Sequence, residues 1–150
     1  MSVRALYLTY DGLTDPLGQS QVLPYLKGLA AKGHRITVVS CEKPEANEAR
    51  GDKVAADCAA AGIDWQPLLY TKTPPVLSTL MDLKRVRARA IVLQRAAPFD
   101  LVHCRSYLTA LIGRSMQRRF DTRFLFDMRG FWIDERFERS IWSVSNPVYR

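Results

Sequence analysis

The sequence predicts an α/β fold in which a parallel β-sheet carries helices on both of its faces. Short apolar runs rich in β-branched and aromatic residues alternate with segments of helical periodicity along the chain. The runs are apolar at nearly every position, which is typical of strands that are buried on both sides. Glycine or proline separates most of the strands from the helices beside them, so the elements are short and well bounded.

The predicted elements follow one another in alternation. Strands are expected at residues 3–10, 34–41, 63–70, 99–104 and 122–126. Helices are expected at residues 20–33, 45–61, 76–97, 107–120 and 133–143. Ser20 is predicted to cap the first helix, Gly33 to end it in a left-handed conformation, and Gly62 to stop the second helix.

Two of the helices are predicted to bury one apolar stripe each. Residues spaced three or four positions apart share one side of a helix and pack together against the sheet. In helix 76–97 this stripe consists of Leu80, Leu83, Val86, Ala90 and Leu93. In helix 107–120 it consists of Leu108, Leu111, Ile112, Ser115 and Met116.

The chain has the size and composition of one folded domain. Its 150 residues are 47% hydrophobic and 25% charged, which excludes a disordered or fibrous protein. We assign residues 1–143 to the domain and residues 144–150 to a linker or a truncated continuation. No apolar run approaches the roughly 20 residues of a membrane span and no signal peptide is evident, so the expected compartment is the cytoplasm.

The chain offers few ligands for a metal and no disulfide framework. Its 3 cysteines are an odd number without a C-x-x-C spacing, and only 2 histidines accompany them. We therefore expect no metal site and no cofactor. Cys41 and Cys104 end apolar runs and are expected to act as small buried hydrophobic residues.

An excess of positive charge, formally +7, is clustered around two of the predicted helices. The clustered cations are Lys84, Arg85, Arg87, Arg89, Arg95, Arg114, Arg118, Arg119 and Arg123. Such clusters attract nucleic acid, anionic lipid headgroups or nucleotide phosphates, although each cation also suits a solvated helix face. No nucleic-acid recognition motif is present, so nucleic acid is not an expected partner.

Polar segments stand where four of the predicted strands end. These segments are residues 11–20, residues 42–43, residues 105–107 and residues 127–130. In an open parallel sheet, ligands bind outside the carboxyl ends of the strands. The four segments are therefore the candidate binding and catalytic segments.

The first segment contains Gly12, Gly18 and Gln19 and leads into a helix. Glycine allows a close approach of the backbone, and the free N–H groups at a helix start favour a phosphate or a carboxylate. The glycines match neither G-x-G-x-x-G nor a P-loop. The segment is therefore interpreted either as a ligand contact or as a flexible connection.

Charged side chains stand at the ends of the last two strands. Arg105 follows the fourth strand, and Asp127 and Arg129 follow the fifth on one side of the chain, because side chains alternate along a strand. This Asp–Arg pair either addresses a ligand or braces the turn before Gly130. His103 lies within an apolar run, and we favour a core histidine with a satisfied hydrogen bond over an active-site histidine.

Four segments together resemble one known family. They are residues 12–18, residues 32–39, residues 99–103 and residues 126–130. In this order and spacing they are similar to the N-terminal half of retaining GT-B-fold glycosyltransferases of the large group 1 type, over residues 3–138. The resemblance implies a Rossmann-like doubly wound parallel β-sheet, one half of a GT-B fold, which faces a C-terminal domain that holds the donor.

The resemblance also implies site residues. The catalytic residues would be Asp127 and Arg129. The substrate-binding residues would be Gly12, Gly18, Gln19, Arg105 and Gly130, with the first two near the donor phosphates. Asp127 stands where many relatives carry a histidine, so it would orient the acceptor hydroxyl or hold Arg129 instead of contacting the sugar.

The implied reaction moves a sugar from a nucleotide-sugar donor to a glycan or lipid-linked acceptor with retention, in polysaccharide biosynthesis. The basic helices are expected to contact an anionic membrane from its cytoplasmic side. The family's donor domain carries two glutamates eight positions apart, and no such pair occurs here. We therefore expect an incomplete chain that by itself binds nucleotide-sugar poorly and transfers nothing.

The alternative is a non-enzymatic Rossmann- or flavodoxin-like module that binds a nucleotide, a phosphosugar or a protein partner.

Overall fold

A sheet of five parallel strands forms the centre of the chain in a computed structural model that describes residues 2–74 and 76–128. The strands are β1 (Arg4–Thr9), β2 (Arg35–Glu42), β3 (Asp64–Leu69), β4 (Leu101–Arg105) and β5 (Arg123–Asp127). The helices are α1 (Leu23–Ala31), α2 (Pro44–Ala60), α3 (Leu77–Ala96) and α4 (Tyr107–Phe120), and a π-helical turn (Gly18–Val22) leads into α1. The predicted α/β fold is confirmed. The helix predicted at 133–143 and the segment 144–150 lie outside the described residues.

The order of the strands across the sheet is β3-β2-β1-β4-β5. The chain builds outward from β1 through β2 to β3, and then returns to add β4 and β5 on the other side of β1. The direction of strand addition therefore reverses between β1 and β4, which opens a crevice at their carboxyl ends. At this edge Arg105, the last residue of β4, lies beside Thr9, the last residue of β1.

Two hydrophobic cores lie on opposite faces of the sheet. Tyr7 of β1 packs with α1 and α2, whereas its neighbours Leu6 and Leu8 pack with α3 and α4, because side chains alternate along a strand. Cys41 and Cys104 are free and buried, as predicted. Burial raises the pKa of each of these thiols to about 12, so both stay protonated at neutral pH.

Two glycines end helices in a left-handed conformation. Gly33 follows α1 with a φ of +86°, and Gly62 follows α2 with a φ of +68°. Residues with a Cβ rarely adopt this conformation, whereas glycine adopts it at little cost. Both predicted helix ends are confirmed.

The start of the first helix differs from the prediction. Ser20 does not cap this helix, because the residue already lies inside the π-helical turn. Its Oγ donates to the carbonyl oxygen of Pro16 at 2.8 Å, a bond that serine commonly makes within a helix. Pro24 has no N–H to offer the Ser20 carbonyl, which favours the wider turn just before α1.

The helix stripes that face the sheet are confirmed in part. Of the predicted stripe residues, those that are buried are Val86, Ala90, Ile112 and Met116. The prediction is wrong for Leu80 and Leu111, which are 59% and 66% exposed. In α3 the buried side instead includes Asp82, whose carboxylate accepts a hydrogen bond from the Thr71 amide at 2.9 Å. The side of α3 that carries Asp82 therefore faces the sheet, because this carboxylate provides the buried Thr71 amide with a hydrogen-bond acceptor. Leu80 consequently lies at the surface.

Candidate functional site

A pocket of about 740 Å³ opens at the carboxyl ends of the central strands. It lies next to the reversal of strand order, where open α/β sheets bind their ligands. Its walls come from β1, β4, β5, the π-helical turn, α1 and the residue after β5. The lining residues are Tyr7, Gln21, Tyr25, His103, Arg105, Leu125, Phe126, Asp127 and Met128.

Strand alternation and register bring three ionisable side chains of this pocket together. His103 and Arg105 are two residues apart on β4 and therefore share a face, and β5 places Asp127 beside Arg105. Asp127 Oδ2 lies 3.8 Å from Arg105 Nη1 and 3.6 Å from His103 Nε2. The structure thus brings together Arg105 and Asp127, two of the predicted site residues, while their roles stay predictions.

Arg105 is almost completely buried, with 6% of its surface exposed. Its Nη2 donates to Gln21 Oε1 at 3.3 Å, and its Nη1 faces Asp127. Its Nε has no hydrogen-bond partner within the described part of the chain. A buried guanidinium with an unpaired donor costs stability.

His103 is also buried, and its Nε2 has no hydrogen-bond partner among residues 2–74 and 76–128. The predicted buried position of His103 is confirmed, whereas its Nε2 lacks the predicted hydrogen bond among the described residues. Its ring packs edge-on against Tyr7, with the ring centroids 4.7 Å apart. Burial lowers the pKa of His103, and the nearby Asp127 carboxylate only partly opposes this effect. The imidazole is thus neutral at pH 7 and able to accept a proton or a hydrogen bond.

Three further pocket residues were not predicted from the sequence. Tyr7 is buried on β1, and burial raises its pKa to about 12, so that its hydroxyl stays protonated. Gln21 and Tyr25 come from the π-helical turn and from α1. One sequence feature could have placed His103 in the pocket. It precedes Arg105 by two positions, and side chains two positions apart on a strand lie on the same face of the sheet.

The turn after β4 is strained at the edge of the pocket. Ser106 has a φ of +74°, which is unusual for a residue with a Cβ. Its amide donates to the carbonyl oxygen of Asp127 at 3.0 Å, so this backbone geometry ties β4 to β5. Helix α4 begins at the next residue, and its N-terminus adds partial positive charge at this edge.

The loop after β1 is held from beneath by Glu42, a carboxylate with no exposed surface. Its Oε1 accepts hydrogen bonds from the Leu13 amide at 2.9 Å and from Ser40 Oγ. Its Oε2 accepts hydrogen bonds from the Thr14 amide at 3.0 Å and from Thr14 Oγ1 at 2.6 Å. Four donors thus fill both oxygens of the carboxylate. The polar segment predicted at 42–43 therefore shapes the loop of the first segment.

The neighbour of this carboxylate makes a second contact with the loop. Lys43 Nζ donates to Asp15 Oδ2 at 2.9 Å, and this hydrogen bond raises the pKa of Lys43. The pair is partly exposed and holds the outer side of the loop against β2.

The glycines and the glutamine of this loop serve its own packing. A Cβ on Gly12 would lie 2.5 Å from Glu42 Oε2, and a Cβ on Gly18 would overlap the backbone of Gly12 and Leu13. Gln19 Nε2 donates to the Leu13 carbonyl oxygen at 2.6 Å. These contacts account for the three residue types, and their predicted contact with substrate stays a prediction.

Two predicted site residues, Arg129 and Gly130, lie outside the described residues. The same holds for the predicted pairing of Asp127 with Arg129. Within the described ranges, no three His, Cys, Asp or Glu side chains are grouped so that they could hold a metal ion.

A family model described as "Glycosyl transferase 4-like domain" matches residues 18–150 of the chain. No curated protein sequence matches the chain.

Several solved structures share the fold. The glycotransferase of kitacinnamycin superposes with a TM-score of 0.61 at 12% identity, over 99% of this chain and 37% of that one. Arabidopsis thaliana UGT89C1 complexed with UDP gives a TM-score of 0.52 at 12% identity, over 83% of this chain and 35% of that one. The C-terminal domain of a Pyrococcus furiosus hydrogenase gives 0.59 at 13% identity, over 85% and 90% of the two chains. The chain therefore spans little more than a third of the first two structures.

Proposed function

Because this chain belongs to the glycosyl transferase 4-like family and has the fold of an N-terminal GT-B domain, we propose that it forms the acceptor side of a glycosyltransferase. The observation that carries the proposal is the Asp127 carboxylate, which is one-third exposed at the strand-end pocket and has the buried side chains of Arg105 and His103 beside it. Carboxylate oxygens accept hydrogen bonds from hydroxyl groups. A ligand rich in hydroxyl groups, such as a sugar acceptor, would supply such donors in this pocket.

Asp127 is the proposed contact for the reacting acceptor hydroxyl. Its side chain is one-third exposed at the pocket, with Arg105 and His103 on its buried side. Both of these contacts are longer than ordinary hydrogen bonds, so the carboxylate oxygens keep the capacity to accept a hydroxyl proton. Arg105 serves as a positioning residue in this proposal, because its charge holds the carboxylate at the strand end.

The donor is proposed to enter the crevice from the side of the loop after β1. The amides of Leu13 and Thr14 are committed to Glu42, so they would not bind the donor phosphates. The UDP in the UGT89C1 structure supports a nucleoside diphosphate as the leaving group. Its developing negative charge would be stabilised by cations and by helix N-termini, and we propose that no metal or cofactor takes part.

Further details of the proposal come from the sequence resemblance. They are transfer of a hexosyl unit with retention, a glycan or lipid-linked acceptor of polysaccharide biosynthesis, and a cytoplasmic location. A C-terminal donor domain would complete the site, and these 150 residues would transfer nothing without it. No described helix is long and apolar enough to cross a membrane.

Saccharide binding tests the proposal. Ligand-observed NMR of the chain against a panel of oligosaccharides and nucleotide-sugars should detect saccharide binding and little nucleotide-sugar binding. Arg105→Gln and Asp127→Asn should each weaken saccharide binding about tenfold or more, as expected for the loss of a charged hydrogen-bonding group.

The matched controls are Arg50→Gln and Asp52→Asn, which change the same residue types on the exposed side of α2. Both controls should bind saccharide like the wild type. A wild-type chain that binds no saccharide, or pocket variants that bind as well as the controls, would contradict the acceptor site. The alternative of a non-enzymatic module is not favoured, because the family match covers most of the chain.

A further inference from the structure

A groove of about 540 Å³ runs between α3 and α4 on the face of the sheet that those two helices cover. We call it the α3–α4 groove. Its lining includes Leu80, Lys84, Arg87, Leu108, Leu111 and Ser115. None of these residues lines the crevice pocket, so the groove is a separate surface.

One end of the groove is apolar and exposed. Leu80 and Leu111, two of the leucines predicted to be buried, stand on its two sides with more than half of their surface in solvent. Leu77 and Met81 of α3 are also more than half exposed beside them. An exposed apolar cluster with polar residues around it is a common mark of an interaction surface.

A basic pocket adjoins the groove and shares Arg87, Leu111 and Ser115 with it. Its further lining residues are Arg114, Arg118 and Arg119, and we count this pocket as the basic end of the α3–α4 groove. In the part of the chain that the structure describes, no acidic side chain lies within 4.0 Å of these arginines or of Lys84. Two further cations of α3 differ, because Arg85 pairs with Asp82 and Arg89 donates to Gln66. The acidic side chains of the described residues therefore do not neutralise the positive charge of the groove.

We infer that the α3–α4 groove docks this chain onto an anionic lipid bilayer. Unpaired cations next to exposed leucines are the composition of surfaces that bind phosphate headgroups and bury apolar side chains just beneath them. A duplex nucleic acid would attract the cations but leave the leucines in water. A second copy of the chain would bring like charges into contact.

The leucine end of the groove and the crevice pocket lie at the same edge of the sheet. Helices α3 and α4 begin after the carboxyl ends of their strands, so the leucine end of the groove lies at the same edge of the sheet as the pocket. Docking by this end would hold the pocket beside the bilayer surface. If the proposed function is correct, a lipid-linked acceptor would then lie within reach of the pocket.

Vesicle sedimentation tests the docking surface without any saccharide. The chain is mixed with vesicles of phosphatidylcholine alone or with about one-third phosphatidylglycerol, at low and at physiological salt. We expect binding to the anionic vesicles that weakens with salt, and little binding to phosphatidylcholine alone. Binding to neither vesicle, or equal binding to both, would overturn the inference.

A charge variant separates this surface from general attraction by a basic protein. Arg114→Gln/Arg118→Gln/Arg119→Gln should weaken partition onto the anionic vesicles about 100-fold, from about fivefold for each cation near the surface. Its matched control, Lys32→Gln/Arg35→Gln/Arg50→Gln, removes the same charge from exposed positions away from α3 and α4 and should bind nearly as well as the wild type. Equal losses in both variants would contradict a specific surface.

Two leucine substitutions, one inside the groove and one outside it, test the leucine end. Leu111→Gln should weaken binding about tenfold, because a leucine side chain no longer enters the bilayer. Leu69→Gln changes another leucine that is more than half exposed, outside the groove at the end of β3, and should have little effect. Sedimentation equilibrium that shows a dimer abolished by Leu111→Gln, without vesicle binding, would instead identify a second copy as the partner. The saccharide assay shares no ligand with these measurements, so either proposal can fail alone.

Discussion

At the scale of single residues, the pocket depends on polar side chains that are buried without being fully paired. Arg105 and His103 each keep a polar atom without a partner in the described part of the chain. Tyr7 packs against the His103 ring, and burial raises the pKa of Tyr7 to about 12. Burial of such groups costs stability in the absence of a ligand. A protein that keeps them at a strand-end crevice has a functional use for them in our interpretation.

The buried histidine should make stability depend on pH. In the unfolded chain His103 has an ordinary pKa near 6.5, and burial lowers this pKa in the folded chain. Between these two values the unfolded state binds more protons, so stability is complete above about 6.5 and falls as the pH falls below it. His103→Asn should remove this part of the pH dependence. Urea unfolding at about pH 7.5 and about pH 5.5 measures it, and equal pH dependence in both chains would contradict the prediction.

The glycine at the start of the π-helical turn should not tolerate a side chain. A Cβ on Gly18 would overlap backbone atoms of Gly12 and Leu13, which cannot move aside as a flexible side chain does. Gly18→Ala should therefore cost about 1–3 kcal/mol in the free energy of unfolding. Gly28→Ala is the matched control, because nothing lies within 4 Å of its added Cβ in α1. The control should gain about 0.4–1 kcal/mol, and equal urea midpoints for the two variants would show that the loop is not tightly packed.

At the scale of elements, the loop between β1 and α1 takes its shape from a strand that is not adjacent to it in sequence. Glu42 at the end of β2 binds two amides of this loop, and Trp65 Nε1 of β3 donates to Ser40 Oγ at 2.9 Å, which in turn donates to Glu42. Two strands, β2 and β3, therefore hold one loop beside the crevice. Helix α3 uses Asp82 in the same way to hold the Thr71 amide.

Replacement of Glu42 by its amide should loosen this loop. Each carboxylate oxygen accepts two donors, so the NH₂ group that Glu42→Gln introduces would face an amide N–H in either orientation of the side chain. The substitution should cost about 1–3 kcal/mol, the penalty for a buried donor left without an acceptor. It should also speed hydrogen exchange at the amides of Leu13 and Thr14.

The matched control is Glu45→Gln, an exposed change in the first turn of α2. Its free energy of unfolding should stay within about 0.5 kcal/mol of the wild type. Unchanged exchange at Leu13 and Thr14 would contradict the role of Glu42.

At the scale of the whole molecule, two surfaces with different chemistry share one edge of the sheet. The crevice pocket offers Arg105, His103 and Asp127 to a small polar ligand. The α3–α4 groove offers leucines and unpaired cations to an extended anionic surface. The saccharide and vesicle experiments above address them separately, and together they test whether acceptor and membrane meet at this edge.

The sequence was sufficient to predict the five strands, the four helices within the described residues, the glycine-ended turns and the placement of Arg105 and Asp127 at strand ends. These features depend on neighbours along the chain: periodicity, turn residues and the common edge where parallel strands end. The resemblance to glycosyltransferases rested on such local segments too, and the family match agrees with it. Helix rotation was less predictable, because the apolar positions of α3 and α4 allow more than one stripe to face the sheet.

Tertiary structure decided which of these local features form a site. The strand order placed β1 between β2 and β4, so that Glu42 reached the loop after β1 and Tyr7 came to lie against His103. It also turned Asp82 inward and left Leu80 and Leu111 at the surface. These contacts join residues far apart in the chain, and their energies come from packing and hydrogen bonds that exist only after the strands have paired. Local pattern therefore determined the elements, whereas the order of the strands determined the pocket and the groove.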